Sequence, residues 1–169
     1  MSTISIRSGG QTGVDRGALD FALRVGLSYG GWCPRGGWAE DFPTAPGLLA
    51  KYPLLKETPS AEPDQRTAWN VRDSDATLIL IRGDELERSP GTIFARQMAE
   101  LVFLRPCLVA DILQSDSIAR AREWIARVSD AVSGTEFLLN IAGPRESEAP
   151  GIYAEAGRFL TALLNLDVS

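Results

Sequence analysis

Histidine is absent from the sequence, and its absence excludes whole classes of catalytic and metal-binding site. Neither a Ser-His-Asp nor a Cys-His mechanism is available, and no metal site can use imidazole ligands. Cysteine is scarce too: Cys33 and Cys107 are too few for a disulfide framework and too isolated for a zinc site. We therefore expect both thiols to be reduced and near the core, and we expect no protein-derived metal ligands. Any acid–base chemistry must use carboxylates, tyrosine or lysine.

Long apolar runs are also missing, since no stretch approaches the roughly 18 residues that a membrane helix needs. Strand-like residues follow the amino terminus too closely for a signal or transit peptide, so we expect a cytoplasmic protein without membrane contact. The net charge of −5 argues against a general nucleic-acid binder. Lysine is rare, and 15 of the 17 basic residues are arginine. Arginine suits bidentate recognition of phosphate, although a compositional bias of the genome explains the excess equally well.

Strand-like and helix-like segments alternate along the 169 residues, a length typical of one domain. The patterns predict strands over residues 4–7, 27–31, 52–56, 75–81, 106–111 and 137–142. They predict helices over 14–25, 63–72, 118–132 and 153–164, with residues 32–51 as an ordered loop. One more helix opens at 89–92, with an apolar face made of Phe94, Met98, Leu101 and Val102. We therefore expect a single α/β domain over 1–169, with a mainly parallel, doubly wound sheet and helices on both faces.

The loop between the first strand and the first helix carries the strongest functional pattern, Ser8-Gly9-Gly10-Gln11-Thr12-Gly13. Its glycines let backbone N–H groups approach a ligand, and the positive end of the next helix points at the same place. Arg16, in the first helical turn, adds positive charge. The spacing fits neither a P-loop nor the dinucleotide-binding fingerprint. The loop therefore predicts a phosphate- or oxyanion-binding turn; a tight structural turn before a capped helix is the alternative.

Two further loops follow strand ends and enter helices, where α/β proteins bind their ligands. In the second loop, Pro90, Gly91 and Thr92 give another anion-facing helix start, although Ser-Pro-Gly is also a common turn. In the third loop, residues 143–148, Arg145 offers a positive contact. A salt bridge from Arg145 to Glu146 or Glu148 explains this residue equally well. Together with the first loop, these residues predict a cradle for an anion.

Aromatic and charged residues outside these loops are less decisive. Trp32 and Trp38 flank Arg35, so they can stack on a heterocycle beside an arginine–phosphate contact, or fold their loop onto the core. Of the three, we favour Arg35 as the ligand contact. A polar series at helical spacing precedes the central strand, and helix capping or surface pairing explains it as well as function does: Arg66, Asn70 and Asp73.

Several separated motifs resemble the molybdenum carrier protein family, in order and over nearly the whole chain. They are SGGQTGVDR at 8–16, GGWCP at 30–34, AED at 39–41, YPL at 52–54, RTAWNV at 66–71, DSD at 73–75 and AGPRES at 142–147. The resemblance implies a Rossmann-like, homo-oligomeric protein, dimeric or tetrameric, that binds molybdenum cofactor, a pterin bearing a phosphate. It also implies a molybdoenzyme as acceptor. The family is similar to lysine-decarboxylase-annotated proteins and cytokinin-activating phosphoribohydrolases, and a second group of members senses or processes nucleotides.

One departure from the phosphoribohydrolases bears on catalysis. Those relatives carry a glutamate where this sequence has Ala95, in a shortened glycine segment, and alanine cannot act as a general base. The leading hypothesis is therefore a carrier that holds a phosphorylated pterin without cleaving it. The alternatives are a nucleotide-sensing module and an N-glycosidic hydrolase that uses another acid. Candidates for that acid are Glu40, Asp41 and Asp73. Whether the protein is an enzyme stays open at this point.

Overall fold

Five parallel strands form the central sheet in the order β2-β1-β7-β5-β6. The computed structural model describes residues 3–165. The strands of this sheet are β1 (Thr3–Arg7), β2 (Ser28–Gly30), β5 (Ala76–Ile81), β6 (Cys107–Asp111) and β7 (Glu136–Ala142). A separate parallel pair consists of β3 (Trp32–Cys33) and β4 (Lys56–Glu57). The parallel sheet with helices around it confirms the predicted Rossmann-like α/β fold.

Strand β5 lies inside the sheet between β7 and β6, and its six residues are all buried. Successive side chains of a strand point to opposite faces, so a strand covered on both faces is apolar at nearly every position. The exception here is Thr77, whose Oγ1 accepts from Asn140 Nδ2 at 3.3 Å. Ala76, Leu78 and Leu80 accordingly join the core cluster that also contains residues of α1, α6 and α7. The apolar run predicted as the central strand therefore lies inside the sheet, where both faces are covered.

Four longer helices have close to their predicted bounds: α1 (Val14–Val25), α3 (Pro63–Arg72), α6 (Ser117–Asp130) and α7 (Ile152–Leu164). Helix α1 ends at Gly26, which adopts the left-handed conformation common after helices. Helix α1 packs on α7, which also contacts α6, while α3 packs on α5 (Pro90–Gln97). The described residues also form two one-turn helices, α2 (Leu48–Lys51) and α4 (Glu85–Arg88). Within residues 3–165, no helix has the length and apolarity to cross a membrane.

The prediction for residues 32–56 is partly wrong. The segment predicted as an irregular loop contains β3 and α2, and the predicted strand at 52–56 is reduced to Lys56–Glu57. Tyr52 instead follows α2, fully buried, with its hydroxyl donating to Asp20 Oδ1 at 2.6 Å. A buried tyrosine beside leucines gives an apolar run whether it lies in a strand or after a helix, so periodicity alone misplaced it.

The predicted apolar face of the helix after Thr92 is partly wrong. Leu101 and Val102 are 73% and 54% exposed, whereas Thr92, Ala95 and Ala99 are buried. The helix changes to a π-helical turn over Met98–Val102. One extra residue in a turn rotates the following side chains away from a regular 3.6-residue pattern. Small residues therefore face the interior, Phe94 and Met98 are half-buried, and Leu101 and Val102 face outward.

Candidate functional site

Three loops meet at the carboxyl edge of the sheet because β1, β7 and β5 are neighbours. Together with α3 they enclose a narrow cavity of about 40 Å³, which we call the three-loop cleft. It is lined by Gln11, Asp15, Arg66, Thr67, Ser89, Gly91, Thr92, Ala95, Ala142, Gly143, Arg145 and Glu148. Four of the predicted site residues are among these: Gln11, Gly91, Thr92 and Arg145. The volume suits a few waters or one group of phosphate size.

A buried ion pair between α1 and α3 forms one wall of the cleft. Arg66 Nη1 lies 2.9 Å from Asp15 Oδ2, and the two side chains are 12% and 5% exposed. Burial raises the pKa of Asp15, and the adjacent Arg66 guanidinium opposes part of that rise. Arg66 Nε is also buried, yet it has no hydrogen-bond partner among the described residues. Arg66 therefore brings a positive charge to the cleft, and it carries a buried donor that no described residue uses.

Arg66 also explains the first glycine of the loop. A Cβ on Gly9 would lie 2.0 Å from Arg66 Nη1, so the guanidinium occupies the space of a side chain there. The sequence favoured no function for Arg66 over capping or surface pairing, because nothing in its local pattern connects it to Asp15, 51 residues away, or to the loop before it. Its approach to Gly9 appears only once the chain is folded.

The first loop uses most of its backbone donors within the protein. Its N–H groups have the following acceptors: Ser8 Oγ for Gly10 (3.2 Å), Asp15 Oδ2 for Gln11 (3.4 Å), Gln11 Oε1 for Thr12 (3.0 Å) and Pro144 O for Val14 (3.2 Å). Ser8 is itself fully buried, and its hydroxyl donates to Asp15 O at 2.9 Å. The loop thus has the internal bonding of a structural turn, and an anion would reach these N–H groups only by replacing acceptors of the protein, three of them side chains and one the Pro144 carbonyl.

Protein contacts also account for the remaining glycines of this loop. Gly10 has φ +73°, and a Cβ there would lie 2.9 Å from Leu48 Cδ1, on the core side. Gly13 has φ +80°, and its Cβ would lie 2.3 Å from Pro144 O. Thr12 Oγ1 accepts from the Glu146 N–H at 3.1 Å, which joins the same two loops. Gly13 and Thr12 therefore hold the first loop against the third.

Arg16 points away from the three-loop cleft. Its Nε and Nη2 donate to Gly10 O at 3.1 and 3.0 Å, and its Nη1 donates to Asp41 Oδ2 at 2.8 Å. The guanidinium also lies over the Phe42 ring, 5.0 Å from its centroid. The Arg16 hydrogen bond holds the pKa of Asp41 below its usual value. Arg16 thus stabilises the first loop from the side that faces away from the cleft.

Glu148 connects the second and third loops. Its Oε2 accepts from Ser89 Oγ at 2.7 Å and from the Arg145 N–H at 3.2 Å. Ser89 Oγ also bonds Thr92 Oγ1 at 2.7 Å. Among residues 3–165, the Arg145 guanidinium makes only long ion pairs, 3.7 Å to Glu148 and 3.8 Å to Glu40. The predicted Arg145–Glu148 pair is therefore present but loose, which leaves Arg145 able to turn toward an anion.

The other predicted residues lie elsewhere. Pro90 begins α5 in an exposed position, one residue from the cleft lining. Arg35 is exposed and borders a separate surface depression with Trp38. Three proposed acids do not line the cleft either: Glu40, Asp41 and Asp73. The carboxylates that do line it are Asp15 and Glu148, neither of which the sequence patterns indicated as an acid.

Both thiols are free, Cys33 buried and Cys107 partly exposed. Burial raises the pKa of each to about 11, so little thiolate is present at neutral pH. We expect iodoacetamide to alkylate neither residue quickly at neutral pH, and Cys107 to react first as the pH rises. Mass spectrometry after timed alkylation measures this. Fast neutral-pH labelling of Cys107 would contradict the assigned environment.

Within residues 3–165, no group of three or more potential metal-ligating side chains is found.

Comparison with known proteins agrees with this architecture. The sequence model of the circularly permutated YpsA SLOG family matches residues 6–164. A crystal structure from Syntrophus aciditrophicus SB, described as a "Putative molybdenum carrier protein", is similar, with a TM-score of 0.83 and 36% sequence identity over 96% of each chain. No curated protein matches the chain. Because the family match covers the strands, helices and loops that enclose the three-loop cleft, this chain belongs to the circularly permutated YpsA SLOG family.

Proposed function

We propose that this protein is a carrier that binds a phosphate-bearing small molecule in the three-loop cleft, and that molybdenum cofactor is this ligand. The observation that carries the proposal is the buried Nε of Arg66, which has no partner among the described residues and belongs to a side chain of the cleft that Arg145 also borders. A charge-assisted donor left unpaired in the interior is costly unless a ligand accepts from it. The similar protein described as a molybdenum carrier supports the choice of ligand.

The size of the cleft determines how such a ligand would bind. About 40 Å³ admits a phosphate but not a pterin ring. The phosphate would therefore enter between Arg66 and Arg145, and the pterin would lie outside, over the exposed Gly91, where an added Cβ would meet nothing within 4 Å. The dithiolene of the cofactor carries its own molybdenum, so no metal ligand from the protein is needed. We further propose a homo-oligomer that delivers its ligand to a molybdoenzyme.

Ala95 supports binding without cleavage. It is 1% exposed and lines the cleft, where the resemblance to phosphoribohydrolases places their glutamate. A methyl group there can neither transfer a proton nor stabilise a cationic ribosyl centre. The second candidate function, N-glycosidic hydrolysis, rests on Asp15, whose raised pKa and position in the cleft are properties of a general acid. Its ion pair with Arg66 disfavours that role, so we propose the carrier first.

Thermal unfolding with three ligands tests the proposal: molybdenum cofactor, AMP and ADP-ribose. At a hundredfold excess over its Kd, a ligand adds about 2.7 kcal/mol of stability. For a chain of this size we therefore expect molybdenum cofactor to raise the Tm by roughly 5–10 °C. The same pterin without its phosphate serves as the control and should give a much smaller rise. Equal rises for both forms would overturn the phosphate assignment, and release of adenine from AMP would establish the hydrolase instead.

A further inference from the structure

A second cavity lies away from the three-loop cleft, where α3 ends beside β1, β3 and β4. Its volume is about 200 Å³, and it shares no lining residue with the three-loop cleft. Its lining combines cationic, polar and apolar side chains, chiefly Arg7, Trp32, Leu54, Lys56, Asp73 and Ser74. The volume lies below the roughly 300–1,000 Å³ of sites for drug-sized ligands, so a smaller molecule fits.

Two cations face this cavity without an anionic partner. Neither the Arg7 nor the Lys56 side chain has a hydrogen bond or ion pair within residues 3–165, and Lys56 Nζ lies 5.9 Å from the centroid of the Trp32 ring. Arg7 is half-buried, and its guanidinium packs against the backbone of Gly30. A Cβ on Gly30 would lie 2.0 Å from Arg7 Nη1. The chain has a net charge of −5, so two cations without an anionic partner at one cavity give that cavity a charge opposite in sign to the net charge.

An unused hydroxyl points to a ligand independently. Ser74 is 2% exposed and lines the cavity, yet its Oγ has no hydrogen-bond partner among the described residues. Leaving a buried hydroxyl unbonded costs free energy, and native proteins do so rarely. Beside two cations, the group that this hydroxyl best serves as donor is an anionic oxygen.

The carboxylate in the cavity lining, Asp73, already has a cationic partner. Asp73 accepts from Arg72 Nε at 2.7 Å, from Arg72 Nη2 at 2.9 Å and from Trp32 Nε1 at 2.8 Å. Its charge is therefore compensated by a residue outside the cavity lining, which leaves the charges of Arg7 and Lys56 in excess. An anion bound between these two cations would meet little repulsion from Asp73.

We propose that this cavity is a second binding site, for a small molecule with a phosphate or carboxylate group. The oxyanion would accept from Arg7, Lys56 and the Ser74 hydroxyl, while Trp32 and Leu54 would contact the rest of the molecule. The site is independent of the ligand bound in the three-loop cleft, because the two cavities have no residue in common. Loss of one site would therefore leave the other intact.

NMR titration with inorganic phosphate, and separately with acetate, tests the second site. We expect a saturable shift of the Trp32 indole N–H and the Ser74 amide, with the Trp124 indole on α6 unchanged as an internal reference. The same shifts should persist in Arg145→Gln, which weakens only the three-loop cleft. The tighter of the two anions identifies the ligand class. Absence of a saturable shift at Trp32 and Ser74 with both anions would overturn the proposal.

Three variants assign the shifts to the proposed contacts. Arg7→Gln and the exposed Lys56→Gln should each weaken the affinity about tenfold or more, since each removes a charge-assisted hydrogen bond. Arg120→Gln, which removes a charge from an exposed position on α6, is the matched control and should bind as the wild type does. Ser74→Ala should bind more weakly yet keep or raise the Tm without ligand, because it deletes an unbonded hydroxyl. An unchanged affinity in Arg7→Gln or Ser74→Ala would overturn the site.

Discussion

Replacing Arg66 by methionine should abolish anion binding in the three-loop cleft and lower the free energy of unfolding by about 3–5 kcal/mol. The loss of stability follows because Asp15, whose side chain is 5% exposed, would be left as a buried carboxylate without its cation. The loss of binding follows because Arg66 supplies the only donor in the cleft lining, within residues 3–165, that is buried without a partner. Urea denaturation measures the first effect, and thermal shift with the phosphorylated pterin measures the second.

Two further variants separate these effects. Arg72→Met removes another arginine–aspartate pair of the same helix, but Arg72 and Asp73 are 41% and 42% exposed. That variant should cost no more than about 1 kcal/mol. Arg66→Met combined with Asp15→Asn removes the buried pair as a whole, so it should regain most of the stability without regaining binding. If the double variant binds the phosphorylated pterin normally, Arg66 is not the phosphate contact.

The fold was largely predictable because its most regular helices and strands follow from the pattern of their own residues. Five of the six residues over 76–81 are apolar because the strand lies between covered faces, and α3 starts at a proline and ends before a polar segment. The elements that were mispredicted depend on tertiary contacts. The one-turn helix α2 and the position of Tyr52 are set by contacts with Asp20 and the first loop, which no local pattern records.

The position of the candidate site on the sheet was predictable, but only some of the residues that line it were. Parallel strands direct their carboxyl ends to one edge, so the convergence of the three loops follows from the strand order. Arg145 was indicated by the sequence and lines the cleft, but the second arginine there does not follow from sequence. Arg16 lies beside the first loop in sequence but turns to Asp41, whereas Arg66 arrives from a distant helix. The contact of the ligand with Gln11, Gly91, Thr92 and Arg145 stays a prediction.

Gly13 should be the most sensitive backbone position of the site. Its φ of +80° and ψ of −132° belong to a region that only glycine adopts readily, and an added Cβ would lie 2.3 Å from Pro144 O. Because the clash is with backbone, the third loop must move, taking Arg145 and Glu148 with it. We expect Gly13→Ala to cost on the order of 3 kcal/mol of unfolding free energy and to abolish binding of the phosphorylated pterin.

Gly26→Ala is the matched control for this prediction, since Gly26 also has a positive φ, +72°, but an added Cβ would meet nothing within 4 Å. It measures the cost of a positive φ in the left-handed region without a clash, which should be about 1 kcal/mol, and it should leave binding unchanged because Gly26 lies at the far end of α1. Urea denaturation and thermal shift on the two variants give the comparison. Equal stability losses would show that the third loop yields to the added methyl group. Wild-type binding by Gly13→Ala would show that the contact between Gly13 and Pro144 does not shape the cleft.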